Sequence, residues 1–220
     1  MHKVIGLAEA VEMIPDGASL MIGGFMGVGS PHRLIAELLR QGRKNLTVIA
    51  NDAARPGVGI GRLVDAKAVK RMVASHVGTN PEIGRQMIAG ETALELCPQG
   101  SLAERIRAGG YGLGGVLTPT GIGTVVAEGK RQIEIDGKTF LLELPLRADF
   151  ALIGAKQADY SGNLEYALTA RNFNPLMAAA AAVVIAEAED IVPIGVIPPD
   201  SVITPNALVD YLVAKVRHHG

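Results

Sequence analysis

One segment constrains this chain more than any other. From Asp16 to Pro31 it reads Asp-Gly-Ala-Ser-Leu-Met-Ile-Gly-Gly-Phe-Met-Gly-Val-Gly-Ser-Pro. The apolar run Leu20 to Ile22 predicts the end of a buried strand, and four glycines, Gly23, Gly24, Gly27 and Gly29, follow it. Ser30 then offers a helix N-cap, and Pro31 suits the first helical position, where a missing N–H costs nothing. Strand, glycine loop and helix start, in that order, let backbone N–H groups face an anion with no side chain in the way.

Glycine is also the compositional outlier, at 27 of 220 residues, against a usual share of about 7%. It clusters at 23–29, 57–61, 109–115 and 121–123, between apolar segments. That distribution predicts tight loops on a regular scaffold. With 48% hydrophobic and 20% charged residues, the chain is not disordered. Its 21 basic and 22 acidic residues give no electrostatic reason to propose nucleic acid or a membrane as partner. Cys97 is the single cysteine, so an intramolecular disulfide and a Cys-rich zinc site are excluded. The start, Met1 to Gly6, lacks a signal-peptide apolar core, and Glu9 and Glu12 follow. The longest apolar stretch, Met177 to Ala186, falls well short of the ~18 residues of a membrane helix. A cytoplasmic protein is expected, folded as one domain over 1–220, because no internal repeat or linker divides it.

Hydrophobic spacing predicts alternating strands and helices. After the glycine loop, Leu34, Ile35, Leu38 and Leu39 mark one face of a helix over Pro31–Gln41, with Gly42 as its C-cap. Leu46–Ala50 is the next strand and completes a βαβ unit of about 30 residues. Further strands are expected at Val69–Ser75, Ala93–Leu96, Phe150–Ile153 and Val183–Ala186, the last preceded by an Ala-rich helix. Helices are expected over Pro81–Ala89 and Leu102–Ala108, the second opened by the capping box Ser101-Leu102-Ala103-Glu104. Asp136-Gly137 between Arg131–Ile135 and Lys138–Leu142 signals a hairpin. The four prolines between Ile191 and Pro205 read as irregular chain. The fold class is therefore α/β: an open, largely parallel sheet with flanking helices and an antiparallel hairpin insert.

The glycine loop fails as a dinucleotide fingerprint. From Gly24 the spacing is G-x-x-G-x-G, whereas the Rossmann pattern runs G-x-G-x-x-G. Asp52 sits about where a ribose-binding acid would, and a Walker lysine is missing. On spacing alone, a purely structural βα turn remains open.

The longer string decides more. Asp16-Gly17, Gly23-Gly24-Phe25, Gly29 and Pro31 at these intervals resemble the signature of the family I CoA-transferases. Ala50-Asn51-Asp52, Ser75-His76-Val77-Gly78-Thr79-Asn80, Cys97-Pro98-Gln99-Gly100-Ser101-Leu102, Thr118-Pro119-Thr120-Gly121 and Ala170-Arg171-Asn172-Phe173-Asn174 resemble that family's α subunit in the same order. The resemblance implies the open α/β fold shared with certain sugar-phosphate isomerases. It also implies transfer of CoA from an acyl-CoA to a short-chain carboxylate, with CoA as substrate and no prosthetic group. The strings look most like acetate/acetoacetate-type transferases, and less like succinyl-dependent 3-oxoacid or 3-oxoadipate enzymes. Family chemistry runs through a glutamyl-CoA thioester on a glutamate in a Ser-Glu-Asn-Gly string of the β half, and no such string occurs in these residues. A separate β subunit is therefore expected, in an α2β2 heterotetramer. Two other classes stay in view: an isomerase-like enzyme, for which no acid/base carboxylate pair is evident, and a CoA-binding subunit idle in catalysis.

Under the resemblance, Gly23, Gly24, Phe25, Met26, Gly27, Val28 and Gly29 contact CoA and Gln99 donates to the substrate carboxylate or oxyanion. Asn51, with Asp52, ends a predicted strand, where open α/β sheets place ligands, and is the residue of the two expected to face the active site. Each has a plainer alternative: Phe25 as core, Gln99 as a loop residue bonded to backbone. Glu128 is expected to be a surface acid, and Glu82 and Glu91 helix-end or ion-pair residues. His76 is expected to be structural, Cys97 small and buried, and His218 and His219 frayed. Arg171 to Asn174 should tie loops together.

Overall fold

The computed structural model describes residues 3–214. Five short strands and their helices follow the alternation expected for α/β. They are β1 (Ser19–Ile22), α2 (His32–Arg40, after the short α1, Leu7–Glu12), β2 (Leu46–Ile49), α3 (Gly61–Asp65), β3 (Val69–Ala74), α4 (Pro81–Ile88), β4 (Ala93–Leu96), α5 (Gln99–Gly110) and β5 (Val116–Thr118). The remainder comprises β6 (Gln132–Ile135), β7 (Lys138–Glu143), β8 (Ala148–Asp159), β9 (Leu164–Glu165), α6 (Asn174–Ala179), β10 (Ala181–Val192) and β11 (Tyr211–Ala214).

The main sheet has the order β11-β10-β8-β1-β2-β3-β4, with β9 added antiparallel to β8. All neighbours along that order run parallel. The chain builds outward from β1 through β2, β3 and β4, then crosses to the other side of β1 for β8, β10 and β11. Side chains alternate between two cores: Leu20 and Ile22 of β1 pack with Leu34, Ile35 and Leu38 of α2, while Met21 packs with Ile106 of α5 and Met177 of α6. The helices that follow β1 and β8 thus lie on opposite faces. This makes the β1–β8 boundary a topological switch point, the place where open α/β sheets leave a crevice at the carboxyl ends of their strands.

The hairpin insert is as expected. β5, β7 and β6 form a separate antiparallel sheet, and Asp136 and Gly137 both adopt positive φ, +50° and +70°, as a type I′ turn requires. Gly42 (φ +69°) closes α2, with Arg43 N–H donating to the Leu38 carbonyl and Gly42 N–H to that of Leu39, a Schellman arrangement.

Three local expectations are corrected. Helix α2 begins at His32, so Pro31 is its N-cap and Ser30 makes no capping bond; a carboxylate from β10 caps it instead, as described below. Helix α5 begins at Gln99, which puts Ser101 inside the first turn, its hydroxyl buried without a partner. No capping box forms there. The strands expected at Phe150–Ile153 and Val183–Ala186 are the centres of twelve-residue strands, and β10 reaches Val192, into the segment read as irregular. A continuous apolar run marks only the part of each strand buried on both faces, so the more polar ends of β8 and β10 escape it. His218 and His219 lie outside the described residues.

Helix α5 keeps Gly109 and Gly110 within its last turn because neighbours occupy the side-chain space. A Cβ on Gly109 would stand 1.9 Å from the Leu146 carbonyl oxygen. The 144–147 segment is itself tied down, since Arg105 Nε donates to the Leu144 carbonyl and Leu146 N–H to that of Arg105. Alanine gains about 1 kcal/mol over glycine in an open helix, whereas overpacking a fixed site costs roughly 1–3 kcal/mol. Gly109→Ala should therefore destabilise the fold by about 1–3 kcal/mol. Gly84→Ala in α4, where nothing lies within 4 Å of the new Cβ, should stabilise it by up to about 1 kcal/mol. Urea titration of both variants checks the opposite signs.

Candidate active site

The glycine segment leaves β1 at the switch point, where Gly23 N–H donates to the Leu152 carbonyl of β8. Phe25 to Val28 then forms a two-residue hairpin. Phe25 and Val28 exchange both backbone hydrogen bonds, at 3.0 and 2.9 Å, and Met26 and Gly27 take φ of +52° and +90°. This is type I′ geometry. A residue other than glycine in that conformation costs about 1–3 kcal/mol and persists only where its surroundings hold it.

Those surroundings are the other motifs. Both carboxylate oxygens of Asp52 accept from Met26 N–H, at 3.1 and 3.2 Å, and Oδ2 also accepts from Ala54 N–H at 3.1 Å. Thr79 Oγ1 donates to the Ala54 carbonyl at 2.9 Å and lies 3.5 Å from Met26 Sδ. Asn172 Oδ1 accepts from Gly24 N–H, and its Nδ2 donates to the Val28 carbonyl. Asn174 Nδ2 donates to the Gly29 carbonyl while its Oδ1 accepts from Gly154 N–H on β8. Arg171 to Asn174, expected to tie loops together, supplies two side chains that tie the glycine loop.

The space where side chains would stand is also filled by protein. A Cβ would lie 1.6 Å from Asn174 Oδ1 at Gly23, 2.1 Å from Ser30 Oγ at Gly24, 2.5 Å from Val58 at Gly27 and 2.8 Å from Ala170 at Gly29. The picture of a bare cradle with all its amides turned to an anion is thereby corrected: the glycines first admit the chain's own atoms. Among the described residues, the amides of Gly27 and Gly29 are the ones in the loop that make no hydrogen bond. The first turn of α2 is spoken for as well. Glu187 of β10 accepts from Arg33 and Leu34 N–H, at 2.8–3.2 Å, and pairs with the Arg33 guanidinium. A carboxylate at a helix N-terminus is favoured by the dipole, so the anion expected there is already part of the fold.

Gln99 and Asn51, distant in sequence, meet. Gln99 Nε2 donates to Asn51 Oδ1 at 3.2 Å. Asn51 follows β2 and is 2% exposed, while Gln99 opens α5 just past β4 and is exposed. Ser75 Oγ, past β3, donates to the Asn51 carbonyl at 2.6 Å. The pair therefore sits at the carboxyl edge of the sheet and joins the glycine turn through Asp52. Phe25 is 42% exposed and Val28 51%, so the tip presents apolar side chains outward, and Phe25 is not core. A cavity of about 700 Å³ lies on the other flank of the loop, lined by Gly27, Gly29, His32, Lys156, Leu168 and Glu187. Gln99 and Asn51 do not line it.

The remaining polar candidates resolve simply. Glu82 forms ion pairs with Arg85, as does Glu91, and the Arg85 hydrogen bond brings the Glu82 carboxyl down to about 2. Glu128 is exposed. Cys97 is 2% exposed, and burial pushes its thiol up despite contact with Arg105, which suits an inert side chain. His76 differs from expectation: its ring is on the surface, and its structural part is played by its carbonyl, which accepts from Ala53 N–H. Among the described residues no cluster of three or more His, Cys, Asp or Glu is placed to hold a metal, and no helix is long and apolar enough to cross a membrane.

An open parallel sheet with an anchored turn and paired side-chain amides at its carboxyl edge is the α/β architecture that places its ligands at that edge. The comparisons make the class specific. The sequence profile described as coenzyme A transferase matches residues 4–215. The chain is 53% identical over 213 residues to the α subunit of the acetate CoA-transferase of Escherichia coli K12, covering 97% of each. It is 49% identical to one of the subunits of the succinyl-CoA:3-ketoacid coenzyme A transferase of Xanthomonas campestris pv. campestris B100, covering 94% of this chain and 85% of that one. The acyl-CoA transferase of Escherichia coli O157:H7, solved as a thioester complex with CoA, superposes with a TM-score of 0.86 at 26% identity over 97% of this chain. This chain spans 47% of that polypeptide. It belongs to the coenzyme A transferase family.

Burial raises the Asp52 carboxyl above its usual range, more than its amide donors and His76 lower it. The native state therefore takes this proton more readily than the unfolded chain. The associated stability is complete below the ordinary carboxylate pKa and is lost as pH rises through the raised native value. Asp52→Asn removes that loss, so its Tm relative to wild type should climb as pH rises above the ordinary carboxylate pKa of about 4. A flat difference curve in scanning fluorimetry would count against a buried, charged Asp52.

Proposed function

We propose that this chain is the α subunit of a short-chain acid CoA-transferase, acting as one cytoplasmic domain with a β subunit that carries the nucleophilic glutamate, in an α2β2 assembly. CoA passes from an acyl-CoA to a free acid of the acetate, acetoacetate or butyrate type. The observation that carries the reading is the 53% identity to the α subunit of an acetate CoA-transferase across nearly the whole of both chains. The 49% identity to a succinyl-CoA:3-ketoacid enzyme, set beside 47% to the α subunit of an acetoacetyl-CoA:acetate/butyrate enzyme, keeps larger oxoacids as the second choice. No Ser-Glu-Asn-Gly string occurs in these residues, and that supports placing the covalent chemistry on the partner.

In this reading the α chain supplies donors. The glutamate attacks the acyl-CoA carbonyl and displaces CoA thiolate to give an acyl-glutamyl anhydride. The thiolate then attacks the glutamyl carbonyl, releasing the acid and leaving glutamyl-CoA, and each tetrahedral step develops an oxyanion that fixed N–H groups stabilise. Gln99 and Asn51 serve that charge or the substrate carboxylate; their mutual hydrogen bond restrains both amides before substrate arrives. The segment from Gly23 to Gly29, with Phe25, Met26 and Val28 at its tip, lies along CoA. Covalent capture as glutamyl-CoA keeps the thioester's free energy from hydrolysis.

Borohydride added during turnover of the assembled enzyme should reduce the thioester, and mass spectrometry should find the modified glutamate in the β chain alone. Turnover by the isolated α chain would overturn the division of labour. Gln99→Ala should lower kcat by on the order of 10²-fold, with a much smaller change in KM, because an oxyanion contact counts mainly in the transition state. An unchanged kcat removes Gln99 from the site.

A further inference from the structure

Asp52 faces neither solvent nor the outer surface of the loop: it is 1% exposed. Its carboxylate nonetheless accepts backbone N–H groups from two residues that are both forced into the left-handed region, Met26 (φ +52°) and Ala54 (φ +54°). Neither is glycine. Thr79, from a third segment, ties the same two residues through Met26 Sδ and the Ala54 carbonyl. Met26 occupies the first central position of the tip, and Gly27, the second, has an amide that makes no hydrogen bond among the described residues. If Met26 relaxed to negative φ, the type I′ turn would be lost and the Gly27 peptide would rotate with it. One buried carboxylate thereby sets the direction of an N–H group it does not touch.

We infer that Asp52 is a positioning residue for CoA transfer, holding the Met26–Gly27 turn in the conformation that leaves the Gly27 and Gly29 amides available to an anionic oxygen of the reacting group. The inference rests on the transferase reading, but the clamp itself is a property of this chain and is measurable without turnover. The role is geometric, so an uncharged side chain that keeps an acceptor oxygen in place should perform it. Asn at this position retains one such oxygen, within reach of both amides. Alanine retains none.

The test uses the chain assembled with its β partner. Asp52→Ala should lower kcat at least 30-fold while KM for acyl-CoA changes less than about threefold, and Asp52→Asn should keep kcat within about threefold of wild type. Hydrogen–deuterium exchange over 24–29 should speed up in Asp52→Ala and remain at the wild-type rate in Asp52→Asn. Should Asp52→Ala fail to assemble, Asp52→Ser, whose oxygen is too short to span both amides, provides the same comparison. The inference is overturned by an unchanged kcat in the short variants, by equal losses in Asn and Ala, which would mean that the charge itself is required, or by a kcat that falls only with the folded fraction. Unchanged exchange over 24–29 overturns it as well. A wild-type assembly without transferase activity would overturn the functional reading instead, leaving exchange to decide whether the clamp exists.

Discussion

Everything at the candidate site depends on one constraint: the turn after β1 is held in a costly conformation by side chains from elsewhere in the chain. Asp52, Thr79, Asn172 and Asn174 each bond the backbone or the Met26 sulfur of that loop or its immediate neighbours. Ser30, Val58 and Ala170 fill the volumes that Cβ atoms would need at Gly24, Gly27 and Gly29. A glycine-rich segment left to itself would sample many conformations, because glycine loses more backbone freedom on ordering than any other residue. Here that entropy is offset by hydrogen bonds formed in a buried setting, where an unmade bond would be expensive. The result is a loop that is rich in glycine and yet fixed.

The sheet explains why those side chains can converge. Strands β1, β2, β3 and β4 are parallel, so the loops at their carboxyl ends emerge on one edge. Asn51 and Asp52 follow β2, Ser75 and Thr79 follow β3, and Gln99 follows β4. The chain's crossing from one side of β1 to the other brings β8, and then the segment before α6, against the same loop from the opposite direction. The switch point is thus both the crevice and the place where the most segments can brace it.

Electrostatics follow the same economy. A free helix N-terminus beside a glycine loop is a ready anion site, but Glu187 closes that of α2 and is itself neutralised by Arg33. In the transferase reading proposed above, what remains for a ligand is narrower: two loop amides, and the paired side-chain amides of Gln99 and Asn51. Fewer donors in fixed places suit a charge that develops transiently better than a broad attraction for any anion, because fixed donors need no reorganisation when the charge appears.

Much of this was legible in the residues. Short apolar-rich segments located β1 to β4, Asp136-Gly137 located the hairpin, and the ordered strings pointed to the family. These are local signals, set by periodicity, turn stereochemistry and residue identity at fixed spacing. That Arg171 to Asn174 would tie loops together was legible, but which loop they tie, the pairing of Gln99 with Asn51 and the role of Asp52 were beyond reach. The bonds that Asp52, Asn172 and Asn174 make to the glycine loop, and that of Gln99 to Asn51, join residues between 26 and 148 positions apart, and no spacing rule encodes such a contact. Local capping rules misplaced the start of α2 for the same reason, since a carboxylate more than 150 residues downstream did the capping. The residues by themselves determined that a glycine turn would follow β1 and which chemistry to suspect there. Only the tertiary structure decided what those glycines admit, because the volume beside a missing side chain is claimed by whichever segment the fold brings to it.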